Sequence, residues 1–161
     1  MIYDTLSEGL TAIDQLGTYN PDEIISAFDM DLNYSDDMPN HINGYTFPLT
    51  RTLFINSKYA DRISEIHPKC HEIIHCLLDN SAEPLLESSY VSNTRIEARA
   101  NDGAFYIMVK WYLQKTDIEP ANFNILNFAK VFNLDPKLIY PAANVAEKII
   151  NKQIQNHEFY Y

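Results

Sequence analysis

Little in this sequence either loosens the chain or staples it. Its 161 residues include four glycines, two cysteines and one tryptophan. With so few glycines, Asn, Asp and Pro have to set the turns. Two cysteines are too few for a disulfide scaffold. Cys70 and Cys76 are six residues apart, so on a helix they lie well apart around the axis, which disfavours a bridge. The expectation is a cytoplasmic protein with reduced thiols. No apolar run approaches the roughly 18 residues that a membrane span requires. The first residues, Met1-Ile2-Tyr3-Asp4, show no basic stretch leading into an apolar one, so no signal peptide is expected. Positive charge is scarce too: 12 Lys and Arg against 22 Asp and Glu give a net charge of −10. Such a surface repels phosphate backbones, which argues against direct nucleic-acid binding and leaves room for a basic protein partner.

What is present is ordinary globular material, 46% hydrophobic and 21% charged. The length suits a single domain with a core about 18–115 and a C-terminal helical extension about 116–161. Helical spacing marks Ser7 to Leu16, and a second helix begins at Asn20-Pro21, with Asp22 and Glu23 complementing its dipole and Ile24, Ile25 and Phe28 as its buried face. Gly44-Tyr45-Thr46-Phe47 and Thr52-Leu53-Phe54-Ile55 alternate around Pro48 and predict an antiparallel hairpin, with a weaker third strand at Leu32 to Tyr34. Ile66, Cys70, Ile73, Ile74 and Leu77 recur at helical spacing, with Pro68 in the first turn. A polar loop is expected over Asn80 to Asn93. Thr94 then caps a long helix whose apolar stripe is Ile96, Ala100, Ala104, Ile107, Met108 and Trp111. Two further helices are expected at about Asn122 to Phe132 and Pro141 to Gln155, separated by Asn133-Leu134-Asp135-Pro136.

The chemistry is concentrated in His71-Glu72-Ile73-Ile74-His75, an H-E-x-x-H pattern. Residues i and i+4 share a helix face, so both imidazoles can reach one metal ion. Glu72 projects beside them. A bound divalent ion lowers the pKa of its water, and Glu72 can take the proton as that water attacks a peptide carbonyl. Zinc suits this nitrogen-rich set and needs a third protein ligand, though Mn²⁺ or Fe²⁺ could occupy a His/His/Glu site. Candidates for the third ligand are His67, Glu83, Glu87, Glu97 and Asp102. Three histidines on consecutive turns splay too far, which weighs against His67. Glu83 and Glu87 lie in the loop, where rigid placement is harder. Glu97 opens the next helix, and two antiparallel helices would bring it across to His71 and His75. It also stands at capping-box spacing from Thr94, which is its plainer role. One turn on, Asn101 could accept the Nδ1–H of a ligating histidine. Ala100, Gly103 and Ala104 would let the two helices approach closely.

Thr52-Leu53-Phe54-Ile55-Asn56, then His71-Glu72-Ile73-Ile74-His75-Cys76-Leu77-Leu78, then Glu97-Ala98-Arg99-Ala100-Asn101 resembles the ImmA/IrrE family of small gluzincin-like HExxH metallopeptidases. The resemblance covers about residues 18 to 115. It implies an α+β fold, with a small antiparallel sheet packed beside two metal-binding helices; the expected sheet is three-stranded, and the additional C-terminal helices rest on helical spacing alone. It implies zinc held by His71, His75 and Glu97, with Glu72 as general base. It also implies a zinc-dependent endopeptidase that cleaves a helix-turn-helix repressor, in a bacterial or phage-infected cytoplasm. The alternative is a non-catalytic anti-repressor on the same scaffold. Two departures stand out. Ile74 replaces the family's Gly or Ala, and after Asn101 the family's phenylalanine is displaced and its proline is missing.

Other residues have plainer readings. Tyr90, Tyr106, Arg95 and Arg99 lie near the motifs and could stabilise an oxyanion, but no spacing rule selects one, and solvated helix charges are the simpler reading of the arginines. His41 and His157 read as surface residues, and Phe159-Tyr160-Tyr161 as a docking tail or a packed helix end. If Tyr45 to Ile55 contains an open sheet edge, an extended peptide could add to it.

Overall fold

The sheet forms where β-branched and aromatic residues concentrate. The computed structural model describes residues 2–79, 85–88 and 95–158, excepting the side chains of 85–88, 157 and 158. Strands β1 (Asp31–Ser35), β2 (Ile42–Phe47), β3 (Thr52–Asn56) and β4 (Leu85–Ser88) lie in the order β1-β3-β2-β4. The hairpin expected around Pro48 is present. β2 and β3 pair antiparallel, and the tight turn between them ends at Arg51 with φ 55°.

The fold is α+β, but the sheet is four-stranded and mixed, not three-stranded and antiparallel. β1 runs parallel to β3, from Asp31 opposite Thr52 to Ser35 opposite Asn56. The cause lies at the strand starts. The Arg51 guanidinium donates to the Phe28 carbonyl at 2.7 and 3.1 Å, and the Asp31 amide donates to the Arg51 carbonyl at 2.9 Å. These bonds pin the entry to β1 beside the entry to β3, so the two strands leave in the same direction. β4 falls inside the stretch expected as a loop. It pairs antiparallel with β2 through an irregularity between Ile42 and Gly44. Four residues are too few to show an alternation. β2 and β3 therefore each have neighbours on both sides, and Tyr45 to Ile55 offers no open edge. Among the described residues the edges are β1 and β4.

Helix α1 (Leu6–Leu16) starts at Thr5, whose hydroxyl accepts from the Glu8 amide, and stops at Gly17 with φ 75°. α2 (Pro21–Ala27) starts as its sequence predicts, with the Asn20 side chain accepting from the Asp22 amide. Ile24 and Ile25 are buried and Phe28 is half-buried. α3 (Ile66–Leu78) is buried along its whole length, between the sheet and α4 (Arg95–Thr116). Pro68 sits in its first turn, where a missing N–H costs little. α5 (Ile125–Val131) begins later than expected because the Asn124 side chain accepts from the amides of Leu126 and Asn127. α6 (Ile139–Glu158) begins earlier, with Pro141 in its first turn. The expected α4 stripe is corrected as well. Ile96 is 41% exposed, while Phe105, Val109 and Tyr112 are buried: Phe105 stacks on His67 of α3, and Tyr112 packs against Phe123, Phe128 and Phe132. One hydrophobic cluster runs from Ile13 through Ile73 and Ala104 to Phe128 and Ile149, so the C-terminal helices share the core that holds α3.

α3 and α4 meet through a size exchange. A Cβ added at Gly103 would lie 2.6 Å from both Cγ1 and Cδ1 of Ile74, and Ile74 is 1% exposed and cannot swing away. The large residue at position 74 therefore occupies the space that the missing side chain at 103 leaves. Gly103→Ala should lower stability by about 1–3 kcal/mol through overpacking, outweighing the gain in helix propensity of about 1 kcal/mol. Adding Ile74→Val should recover part of that loss. Denaturant midpoints of the two single variants and the double variant measure the coupling, and strict additivity would contradict the exchange.

Candidate metal centre

α3 presents His71 and His75 on one face, and the first turn of α4 brings Glu97 to the same point. His71 Nε2 lies 2.8 Å from Glu97 Oε2, His75 Nε2 lies 3.1 Å from Glu97 Oε1, and the two Nε2 atoms are 3.1 Å apart. All three residues are buried, at 1%, 0% and 9% exposure. The other nitrogen of each ring is tied to an oxygen. His71 Nδ1 donates to Asn101 Oδ1 at 2.8 Å, and His75 Nδ1 donates to Asp79 Oδ2 at 2.9 Å. An acceptor at Nδ1 keeps the proton there, so the neutral ring turns its Nε2 lone pair toward the common point.

This donor set fits a divalent ion. Two imidazole nitrogens and a carboxylate, with ligand atoms within 4.8 Å of one another, could hold one. Tetrahedral bonds of about 2.0–2.1 Å would need ligand atoms about 3.3 Å apart, a few tenths of an ångström beyond the contacts seen. The chemistry of the set does not distinguish zinc from other first-row divalent ions.

Glu72 is wholly buried between α3 and the sheet. Thr46 of β2 donates to Glu72 Oε2 at 2.7 Å. Gly44, one pleat earlier, allows this approach, since a Cβ there would lie 2.8 Å from the Phe54 carbonyl oxygen and 3.2 Å from Glu72 Cγ. Glu72 is also close enough to His75 for its charge to raise the pKa of that imidazole.

The other sequence candidates fall elsewhere. His67 donates from Nε2 to the same Asn101 oxygen at 3.2 Å and stacks on Phe105, outside the three-residue cluster. Asp102 lines a cleft on an adjacent side of α4, outside the three-residue cluster. The Tyr106 hydroxyl donates to Asp14 at 2.9 Å, away from the metal-binding face. Arg99 is not a solvated helix charge, because its Nη2 donates to Asp79 Oδ1. Arg95 and His41 are exposed. Glu83, Tyr90, Thr94 and the Phe159–Tyr161 tail lie outside the described residues, as does the side chain of Glu87.

Sequence reasoning missed Asp79, Thr46 and Gly44. Asp79 carried a usable signal, for it follows His75 by the same i+4 spacing that pairs the two histidines. Thr46 carried none, because its contact with Glu72 spans 26 residues of chain. Cys70 and Cys76 are free and buried. Burial pushes both thiols up, Cys76 to about 12, so neither supplies a thiolate near neutral pH.

No family model, no curated protein and no solved structure matches this chain. Among the described residues, no helix is long and apolar enough to cross a membrane.

In the metal-free protein the cluster holds protons tightly. Burial alone would lower the pKa of His75, but hydrogen bonds to Asp79 and Glu97 overcome it and raise the value from 6.5 to about 10. Burial would raise Glu97, but the two histidines bring it from 4.5 down to about 2. The signs set a window. The His75 contribution to stability is complete below pH 6.5 and is lost as pH rises through about 10. That of Glu97 is complete above pH 4.5 and is lost as pH falls toward about 2. The two overlap in full only between about pH 4.5 and 6.5. Denaturation of chelator-treated protein across pH should show the alkaline loss, and His75→Gln should flatten it. An unchanged alkaline limb in that variant would contradict the assignment.

Proposed function

We propose that this protein is a metal-dependent endopeptidase, with zinc as the resident ion, resembling the ImmA/IrrE metallopeptidases and acting in the cytoplasm on a helix-turn-helix repressor. The observation that supports this most is the meeting of His71, His75 and Glu97 at one buried point, with Glu72 near enough for its charge to act on His75. A divalent ion held there would polarise a carbonyl and lower the pKa of water.

The chain's own residues do the rest. Glu72 receives the proton of the attacking water and passes it to the leaving amine nitrogen. Thr46, donating to Oε2, fixes the orientation of that carboxylate. Asn101 and Asp79 hold the rings of His71 and His75 in the tautomer that leaves each Nε2 for the ion. A substrate peptide in extended form can add along the outer edge of β4, the strand that pairs with β2 on its other side. The acidic net charge suits a basic DNA-binding protein as the substrate and disfavours DNA itself.

Glu72→Gln tests the reading. The amide keeps an oxygen for Thr46 and loses the base, so cleavage of the repressor should fall by about 10²-fold or more, with fold and metal content retained. Undiminished cleavage would remove this mechanism. Derepression that persists in this variant without cleavage would favour an anti-repressor that acts by contact alone.

A further inference from the structure

α1, α4 and α6 each turn an i, i+4, i+8 stripe into a cleft of about 380 Å³ on the side of α4 next to the one carrying Glu97 and Asn101. α1 contributes Leu6, Leu10 and Asp14, and α4 contributes Asp102, Tyr106 and Lys110. α6 adds Val145, Ile149, Lys148 and Lys152. The floor is thus aliphatic and aromatic. Three lysines, Lys110, Lys148 and Lys152, stand around it against the two carboxylates of Asp14 and Asp102, which leaves the lining one charge positive on a protein whose net charge is −10.

The Asp14 carboxylate accepts from the hydroxyls of Tyr19 at 2.5 Å and Tyr106 at 2.9 Å, and Lys110 lies over those two rings at 5.9 and 5.6 Å. Among the described residues, none of the three lysines forms a salt bridge. Lys148 is near enough to Asp102 to act against the upward push of burial on that carboxyl, and the two do not pair directly.

We propose that this cleft is a binding site for a small amphiphilic anion, a molecule with a carboxylate or phosphate head and an apolar body. The volume falls in the range of small-molecule sites, about 300–1,000 Å³. The apolar floor takes the body, and the ammonium groups on two different helices take the head. A neutral sugar would waste the floor, and a bare anion would leave it wet. The inference does not depend on the metal site.

Decanoate, decyl phosphate and decanol serve as probes, each titrated into the full chain by calorimetry and followed by amide NMR shifts. At least one of the two anions should bind saturably at one site, with shifts on α1, α4 and α6, and decanol should bind about tenfold more weakly or worse. The head preferred identifies the ligand class. Lys148→Gln with Lys152→Gln, both exposed and outside the core, should weaken the anion about tenfold while the circular dichroism stays unchanged. Leu10→Glu, which sets a carboxylate in the floor, should abolish binding. The proposal is overturned if neither anion saturates, if decanol binds equally well, or if the lysine variant binds as the wild type does.

Discussion

Beside its two thiols, helix α3 carries five acidic or basic side chains, His67, Lys69, His71, Glu72 and His75, and every one is at least 93% buried. Burying that many charges without partners would unfold a small domain several times over. The surrounding elements are accordingly arranged as their partners. Asp22 at the start of α2 and Glu65 before α3 each take Lys69 Nζ at 3.0 Å, and Tyr34 of β1 donates to Glu65. Thr46 of β2 serves Glu72, Asn101 of α4 serves two histidines, and Asp79 and Glu97 serve His75. The seat of β2 against α3 and the close approach of α4 serve the same need, since each brings an oxygen to a group on α3. A metal ion would complete this arrangement by replacing shared protons with a fixed positive charge.

The close approach has its own requirement. Gly103 faces Ile74, Gly44 faces the Phe54 carbonyl and Glu72, and Ala100 and Ala104 are fully buried beside them. Small residues on α4 and β2 let the polar groups come within hydrogen-bond distance, and the bulk of Ile74 closes the gap that remains. The bulk of Ile74 is thus matched by the absence of a side chain 29 positions away on the neighbouring helix.

Local signals were readable and long-range ones were not. Asn20-Pro21, the Pro48 hairpin and the i, i+4 histidine pair are short-range patterns with one physical meaning each, and the structure places them accordingly. Glu97 and Asn101 could be named because helix spacing and small residues define which face of α4 meets α3. The parallel course of β1 depends on Arg51 reaching back to Phe28, a contact over 23 residues with no periodic signature. β4 is too short to alternate. Thr46 is an ordinary strand threonine until the sheet sets it against Glu72. Trp111 and Ile96 are apolar by type, while burial on α4 is decided by which partners arrive: Tyr112, not Ile96, meets the phenylalanines at 123, 128 and 132.

The central claim is that α3 and α4 together build one three-ligand site. Titration calorimetry with zinc on chelator-treated wild type and on Glu97→Ala tests it most directly. The account predicts one tight ion per chain in the wild type and severely weakened binding in the variant. No specific binding by folded wild type, or equal affinity in Glu97→Ala, would contradict it.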